Sequence, residues 1–178
     1  MTNVTPLGYA LLGLLRDEPR SGYGLRMVFE TTPMGSYSSS PGSIYPALKG
    51  LQKAGLIEAR PAGKGNVFYL TEGGQAAFET WLRQPVTVDQ VAKEMSVIML
   101  RFAFLTGHPD RALTRDLLTS LQAAAAQHAG GMRTWLEGPG AVMPLQPRLA
   151  VTQGIMSTQS VADWAAYALE QLQGETTS

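Results

Sequence analysis

The sequence predicts a mainly α-helical protein, with an N-terminal winged helix-turn-helix carrying a small β-hairpin wing and a C-terminal helical dimerisation domain. Two observations support this fold class. In the first part of the chain, three segments with helical apolar spacing precede two short β-branched and aromatic segments and a fourth helical segment. After residue 85 every periodic segment is helical. We therefore expect a domain at 1–84 and a second domain at 85–178.

The first two predicted helices are marked by leucine spacing and by a capping residue. Residues 5–16 (TPLGYALLGLLR) carry leucines at helical spacing and precede Pro19, which cannot continue a helix. Ser21 is a suitable N-cap for a second helix that reaches about Thr31. Three residues of that helix are expected to face inward: Tyr23, Met27 and Val28. The next segment, TTPMGSYSSSPG, is rich in turn-forming residues.

The third predicted helix begins within the stretch SSSPGSIYPALKGL and runs from about Ile44 to Ala54. Ser43 is expected to be its N-cap, and Gly55 is expected to end it. Leu48 and Leu51 share a face with the first residue of the helix and predict its buried side. The serines and the Pro-Gly pair before it leave a small, polar entrance that lets another molecule approach the backbone. This helix is therefore expected to contact a partner outside the protein.

A change of periodicity follows the third helix. Residues 56–60 and 66–70 are strand candidates on either side of the turn sequence PAGKG, which has Lys64 at its tip. Thr71 is expected to cap a fourth helix, which ends before Pro85. The order helix, helix, turn, helix, hairpin, helix is that of a winged helix-turn-helix.

Helical segments are predicted throughout the second domain. They are a largely apolar helix at 89–105, a long helix that starts at Pro109 and reaches about residue 136, and a last helix at 148–172. A loop at 138–147, rich in Pro and Gly, separates the two long helices. Such an αα-hairpin is too small to hold a core alone, so we expect it to pack on a second copy of itself.

Composition excludes several classes of protein. The chain has no cysteine, which excludes disulfides and thiol chemistry. The N-terminus lacks a basic segment and its apolar run is interrupted by Asp17 and Glu18, unlike a signal peptide. No run approaches the roughly 20 apolar residues that span a bilayer. We expect a cytoplasmic protein with no membrane partner.

The sequence offers no basis for catalysis. It has two histidines and lacks metal-ligand spacing, a nucleophile motif and a phosphate-binding glycine loop. The G-x-G patterns at residues 22–24 and 63–65 do not open a strand-to-helix turn. We therefore expect neither enzyme activity nor a metal or cofactor.

Cations are placed where a winged helix would contact DNA. Net charge is zero, and the domain at 1–84 has a small excess, with 8 Lys and Arg against 6 Asp and Glu. In helix-turn-helix docking the second helix of the motif enters the major groove, and Lys49 and Lys53 lie one turn apart on its outward side. A protein-interaction module that does not bind DNA remains the alternative, and salt dependence distinguishes the two. The residues predicted to contact DNA are Arg20, Tyr23, Ser38, Ser40, Gly42, Ser43, Tyr45, Lys49, Lys53, Lys64 and Asn66.

Several segments resemble the PadR-type transcriptional regulators. They are LGYALLGLL at 7–15, SGYG at 21–24, SPGSIYPALK at 40–49, LQKAGLI at 51–57 and YLTEGG at 69–74, with a weaker likeness through 149–172. The resemblance implies a homodimeric repressor that binds a palindromic operator and is released by a small effector, phenolic or otherwise aromatic. It also implies a recognition segment made of Ser40, Gly42, Ser43, Tyr45 and Lys49, and a wing that contains Lys64. The chain departs from the family pattern at Gly50, commonly bulkier or charged, and in a less basic wing.

The second domain contains aromatic and methionine side chains with two interpretations. They can line an effector pocket or fill the core of a dimer, and the sequence leaves both open. His128, on the seam of the long helix, is interpreted as an interface histidine. The candidate pocket residues are Phe102, Met132, Trp135, Met156, Trp164 and Tyr167.

Overall fold

The computed structural model describes residues 4–32, 41–63 and 65–174. The chain divides into two compact units between Leu82 and Arg83. Its mainly helical content and small antiparallel sheet confirm the predicted fold class. Within the described ranges, no helix is long and apolar enough to cross a membrane.

The first unit combines helices with a three-stranded antiparallel sheet in the order β1-β3-β2. A short 3-10 turn at Pro41–Ser43 precedes α3. The elements in chain order are α1 (Pro6–Asp17), β1 (Arg20–Ser21), α2 (Gly22–Thr31), α3 (Ile44–Lys53), β2 (Ile57–Ala62), β3 (Gly65–Leu70) and α4 (Glu72–Leu82).

Hydroxyl side chains cap three of these helices. Thr5, Ser21 and Thr71 each accept a hydrogen bond from the backbone N–H three residues further on, at 3.0–3.1 Å. Each bond satisfies a donor that the first turn of a helix leaves without an intrahelical partner. The caps predicted at Ser21 and Thr71 are therefore confirmed.

The two ends of α3 lie at the predicted residues and are closed in different ways. Ser43 makes no side-chain capping bond, because its backbone (φ −83°, ψ −19°) already continues the 3-10 turn into the helix. Ser43 is therefore the N-cap residue by position, as predicted, but its side chain does not bond to the first turn. At the other end Gly55 adopts φ +71°, a left-handed conformation that glycine tolerates best. Gly55 N donates to Gln52 O and Leu56 N donates to Leu51 O, each at 3.0 Å, which closes the helix as predicted.

The core of the first unit is apolar and includes an aromatic stack. Tyr9 of α1 lies parallel to Trp81 of α4, with ring centroids 4.5 Å apart. The face of α2 that enters this core is not the predicted one, since Gly22, Leu25 and Phe29 are buried. The three residues expected inside are exposed or half-buried: Tyr23, Met27 and Val28.

Strands β2 and β3 form the predicted hairpin, paired from Ile57 with Leu70 to Ala62 with Gly65. The turn begins with Gly63 at φ +58°. Strand β1 was not predicted. Its Arg20 pairs with Phe68, which attaches the start of α2 to the free edge of β3.

The second unit is helical in all its regular elements that the structure describes. These are α5 (Val88–Lys93), α6 (Met95–Phe104), α7 (Ala112–Glu137) and α8 (Leu145–Gly174). The long helices α7 and α8 pack against each other as the predicted αα-hairpin. A 3-10 turn at Pro139–Val142 lies in the loop that joins them.

Three boundaries in this unit differ from prediction. The helix expected at 89–105 is broken at Glu94 (φ −134°, ψ 32°), with α5 started by a capping box between Thr87 and Gln90. Helix α7 begins at Ala112 rather than at Pro109, because Asp110 Oδ1 accepts from Ala112 N at 3.1 Å. Helix α8 begins at Leu145 rather than at 148. Pro147 then falls in its first turn, where no backbone donor is needed.

Helix α6 also carries a buried charge that its apolar sequence pattern does not reveal. Arg101 is 1% exposed, and its Nη2 donates to the backbone carbonyl of Gln84. Desolvation by burial lowers the pKa of the Arg101 guanidinium. The side chain thereby holds the segment before α5 against α6.

Candidate nucleic-acid interface

Helix α3 presents one apolar and one polar face, as predicted. Ile44, Leu48 and Leu51 are at most 5% exposed. Tyr45, by contrast, is 52% exposed, and Lys49 is also exposed. Lys53 continues the exposed face by a further turn. The buried aliphatic side chains therefore attach α3 to the core, and a phenol and two ammonium groups lie on its exposed face.

The start of α3 lies against the start of α2. A Cβ placed on Gly22 would be 2.8 Å from Cε1 of Tyr45, which is closer than real Cβ contacts come. The absence of a side chain at Gly22 therefore lets the Tyr45 ring rest on the backbone of α2. This contact places the two helix starts side by side.

The sheet brings further cations to the same unit. Arg20 pairs through β1 with β3, and Arg60 lies opposite Val67 in β2. The guanidinium of Arg60 is 4.4 Å from the centroid of the Tyr69 ring, and its side chain is 62% exposed. Asn66 is exposed near the tip of the hairpin. Together these side chains line the hairpin and its edge.

Arg60 is a candidate contact that sequence reasoning missed. The sequence predicts Arg60 only as part of a strand, although residues two apart in a strand share a face. That periodicity puts Arg60 on the same side as Glu58, and the two form an ion pair. The alternation of residues 56–60 therefore already indicates that Arg60 and Glu58 share a face of the strand.

The arginines of this surface are paired with neighbouring carboxylates. Arg20 pairs with Glu18 at 2.5 Å and Arg26 pairs with Glu30 at 3.2 Å, and Arg60 pairs with Glu58. Lys49 and Lys53 form no ion pair with any described residue. Among the described residues of the first unit, the lysine and arginine side chains that form no ion pair therefore both lie on α3.

Of the remaining residues predicted to contact DNA, three are described by the structure and three are not. Gly42 is exposed and Ser43 half-buried in the 3-10 turn before α3, and Tyr23 is 61% exposed with Arg26 5.6 Å from its ring centroid. Three others lie outside the residues that the structure describes: Ser38, Ser40 and Lys64.

The six predicted pocket residues of the second unit do not share one cavity. Met132 and Trp135 line a shallow cleft of about 440 Å³ beside Val88, without the other four. Phe102 meets Trp164 edge to face, with centroids 5.5 Å apart. Met156 and Tyr167 are exposed on α8. His128 is half-buried and lines the cleft of Met132.

Comparison with known proteins gives a family match over part of the first unit. Residues 11–80, most of the first unit, match the model of the transcriptional regulator PadR-like family. The negative transcriptional regulator PadR of Bacillus subtilis (strain 168) is 28% identical over 130 residues, covering 70% of this chain and 71% of that protein. Residues 11–80 are therefore similar to the PadR-like transcriptional regulators.

Two crystal structures of Bacillus subtilis PadR are also similar to this chain. The complex with operator DNA is 26% identical, covers 93% of this chain and 98% of that one, and has a TM-score of 0.41. The complex with p-coumaric acid is 25% identical, covers 95% and 99%, and has a TM-score of 0.43.

Proposed function

We propose that this PadR-like regulator is a homodimeric repressor that inserts α3 into the major groove of an operator and lays its hairpin along the sugar-phosphate backbone. The observation that carries the proposal is the division of α3 into a buried aliphatic face and an exposed face of Tyr45, Lys49 and Lys53. Repression follows the negative regulator to which the chain is similar.

The exposed groups of the first unit suit DNA in distinct ways. Lys49 and Lys53 supply charges that neutralise phosphates, and neutralised phosphates release condensed counterions. The N-terminal end of α3 reaches base edges in helix-turn-helix docking. At this end the small residues Gly42 and Ser43 let the backbone come close to DNA, and Tyr45 offers an aromatic side chain. Arg60 and Asn66 are placed for backbone contacts that fix position rather than sequence.

Dimerisation is proposed through α8. Five large apolar side chains are exposed along one stripe of this helix, and isolated soluble chains rarely expose such a stripe. A second copy, related by a two-fold axis, would cover it and would place two α3 helices on two half-sites about one helical turn apart, or a multiple of that. The residues of this α8 stripe are Leu145, Leu149, Met156, Trp164 and Tyr167.

Release by a small effector completes the proposal. A ligand displaces the dimer from DNA only if it binds the free and DNA-bound dimer states with different affinity. Any ligand that changes how α7 and α8 pack on the second copy would change the spacing of the two half-site contacts. The six aromatic and methionine residues named for this role remain a prediction.

Fluorescence anisotropy with a labelled duplex from the chain's own upstream region tests DNA binding. Lys49→Ala and Tyr45→Ala should each weaken binding by roughly 1–3 kcal/mol, with the secondary structure unchanged. Lys93→Ala removes the same charge from the second unit and should leave affinity unchanged. The logarithm of affinity should fall linearly with the logarithm of salt concentration, and Lys49→Ala should reduce that slope by about 1.

The alternative is a winged helix that binds a protein and not DNA. It predicts a partner interaction that is insensitive to salt and anisotropy that is unchanged by both α3 variants. Equal affinity of wild type, Lys49→Ala and Tyr45→Ala for the duplex would overturn the assignment of α3 as the recognition helix.

A further inference from the structure

The first residues of the second unit, 83–87, join the end of α4 to the start of α5. We name this segment the connector. Segments that join compact units are ordinarily exposed and make few contacts, which leaves the units free to move. The connector is different, because side chains of the second unit hold it at three points.

The first half of the connector is attached to α6 and to the segment before α7. Nη1 of Arg83 lies 3.2 Å from Oδ2 of Asp110, and the two side chains are 52% and 40% exposed. Water and salt screen such an exposed pair, so it contributes little. The backbone oxygen of Gln84 accepts a hydrogen bond from Nη2 of Arg101, a side chain that is 1% exposed. This second contact is the stronger one, because breaking it removes a partner from a buried charge.

The second half of the connector is attached to α7. Val86 is 6% exposed, and its backbone N–H donates to Oγ of Ser120 at 3.0 Å. The Ser120 hydroxyl itself donates to the backbone oxygen of Leu117 at 3.0 Å, which orients the oxygen that Val86 meets. Pro85 has its φ angle fixed by its ring, and Thr87 caps α5. Each of the five residues of the connector is therefore restrained by a contact or by its own ring.

We propose that the connector is a rigid extension of the second unit, and that Arg101 and Ser120 are positioning residues that make the proposed dimer selective for one half-site spacing. The proposal rests on the function proposed above, because the half-sites are those of that regulator's operator. A dimer gains affinity from a second half-site only when both α3 helices can reach their half-sites together. A flexible connector would accommodate several spacings, whereas a rigid connector accommodates few.

The rigidity of the connector is measured without DNA, by hydrogen exchange of the full chain resolved to single amides. In wild type the Val86 amide should exchange at least about a hundredfold more slowly than in a free peptide of the same sequence, because Ser120 accepts its hydrogen. Ser120→Ala and Arg101→Met each remove one anchor and should speed this exchange at least about tenfold. Ser96→Ala and Arg133→Met make the same changes at exposed positions of α6 and α7, and both should exchange like wild type.

Spacing selectivity is measured by fluorescence anisotropy on the footprinted operator and on the same duplex with two base pairs inserted between the half-sites. The insertion moves the second half-site by about 7 Å and turns it by about 70°. Wild type should bind the inserted duplex roughly a hundredfold more weakly, because only one half-site is then engaged. In Arg101→Met and Ser120→Ala this ratio should fall at least about threefold, with wild-type affinity for a duplex that contains a single half-site.

The ratio of the two affinities separates positioning from a merely structural role. A variant that is only less stable would lose affinity for every duplex alike and would keep the wild-type ratio. Circular dichroism should give wild-type helix content for both variants. If Arg101→Met loses helix content, Ser120→Ala decides alone, because it removes a single hydroxyl.

Three results would overturn the proposal. They are exchange of the wild-type Val86 amide at the rate of the free peptide, wild-type spacing selectivity in the folded variants, or equal binding of the two duplexes by wild type. Failure of the DNA-binding proposal is distinguishable. Absence of binding to any duplex removes the repressor assignment and the spacing role with it, whereas the exchange measurement contains no DNA and still decides whether the connector is rigid.

Discussion

The ring of Tyr45 rests on the backbone of Gly22, so that a Cβ at Gly22 would be 2.8 Å from Tyr45 Cε1. This contact joins the first turn of α3 to the first residue of α2. Tyr45 is 52% exposed, so its ring has one side on the protein and the other free for a partner. Gly22 therefore sets the direction in which a proposed DNA contact points.

The Gly22→Ala substitution is expected to displace Tyr45. It should weaken operator binding by roughly 1 kcal/mol, which is about a fivefold loss of affinity. The exposed ring can rotate away, so the free energy of unfolding should change by less than about 1 kcal/mol. Anisotropy titration and urea denaturation of the same preparation separate the two effects.

Gly50→Ala is the matched control on α3. A Cβ there meets nothing within 4 Å, and the residue lies inside the helix. Alanine should raise stability by roughly 0.5–1 kcal/mol through helix propensity. Operator affinity should stay unchanged. A loss of affinity in both variants, or in neither, would contradict the role given to the Gly22–Tyr45 contact.

Glu58→Gln is expected to strengthen DNA binding. Glu58 pairs with Arg60 on the outer side of β2, and a phosphate must compete with that carboxylate for the guanidinium. Freeing Arg60 should raise affinity by roughly 0.5–1 kcal/mol, or two- to fivefold, and make the salt dependence steeper. Glu137→Gln makes the same change in net charge in the second unit. If it raises affinity equally, total charge rather than Arg60 is responsible.

The structure also explains why some elements could be predicted and others could not. Helices α1 to α4 were predictable because their signals are local: hydroxyl caps, leucine spacing and a glycine stop at Gly55. Strand β1 has only two residues and exists because Arg20 pairs with Phe68, far along the chain. No local signal reports such a pairing. The helix break at Glu94 likewise has no Gly or Pro beside it to mark it. The capping box of Thr87 and Gln90, by contrast, could be recognised in the sequence.

The candidate site likewise has parts that could be predicted from the sequence and parts that could not. The exposed side of α3 follows from helical periodicity once Ile44, Leu48 and Leu51 are assigned to the core. The pairing of Arg20 with Glu18 depends on side-chain geometry in a turn, which periodicity does not report. The alternation of residues 56–60, by contrast, does place Glu58 on the same face as Arg60. The cavity between the end of α6, the start of α7 and the end of α8 depends on how three helices meet, so no single segment of sequence could reveal it.

Gly74→Ala should destabilise the first unit strongly. A Cβ on Gly74 would be 2.0 Å from the backbone oxygen of Leu56 and 2.7 Å from Leu70 Cδ1, and a backbone oxygen cannot move aside as a side chain can. We expect a loss of roughly 2–4 kcal/mol in the free energy of unfolding, measured by urea denaturation. Its neighbour Gly73, where a Cβ would come no closer than 3.7 Å to any atom, provides the control. Gly73→Ala should be neutral or stabilising, and comparable losses at both positions would refute the steric explanation.

Met156→Glu should convert the proposed dimer to a monomer. Met156 is 68% exposed in the protomer, so a carboxylate there costs the isolated fold little. In a two-fold dimer the same carboxylate would be buried against the second copy, and burying an unpaired charge costs several kcal/mol. Light scattering coupled to size exclusion should give the dimer mass for wild type and the monomer mass for Met156→Glu.

Thr119→Glu adds the same charge at an exposed position of α7 outside the α8 stripe and should remain dimeric. Because one protomer contacts only one half-site, Met156→Glu should also lose most operator affinity while keeping the helix content of wild type. A Met156→Glu variant that remains dimeric would show that α8 does not form the interface.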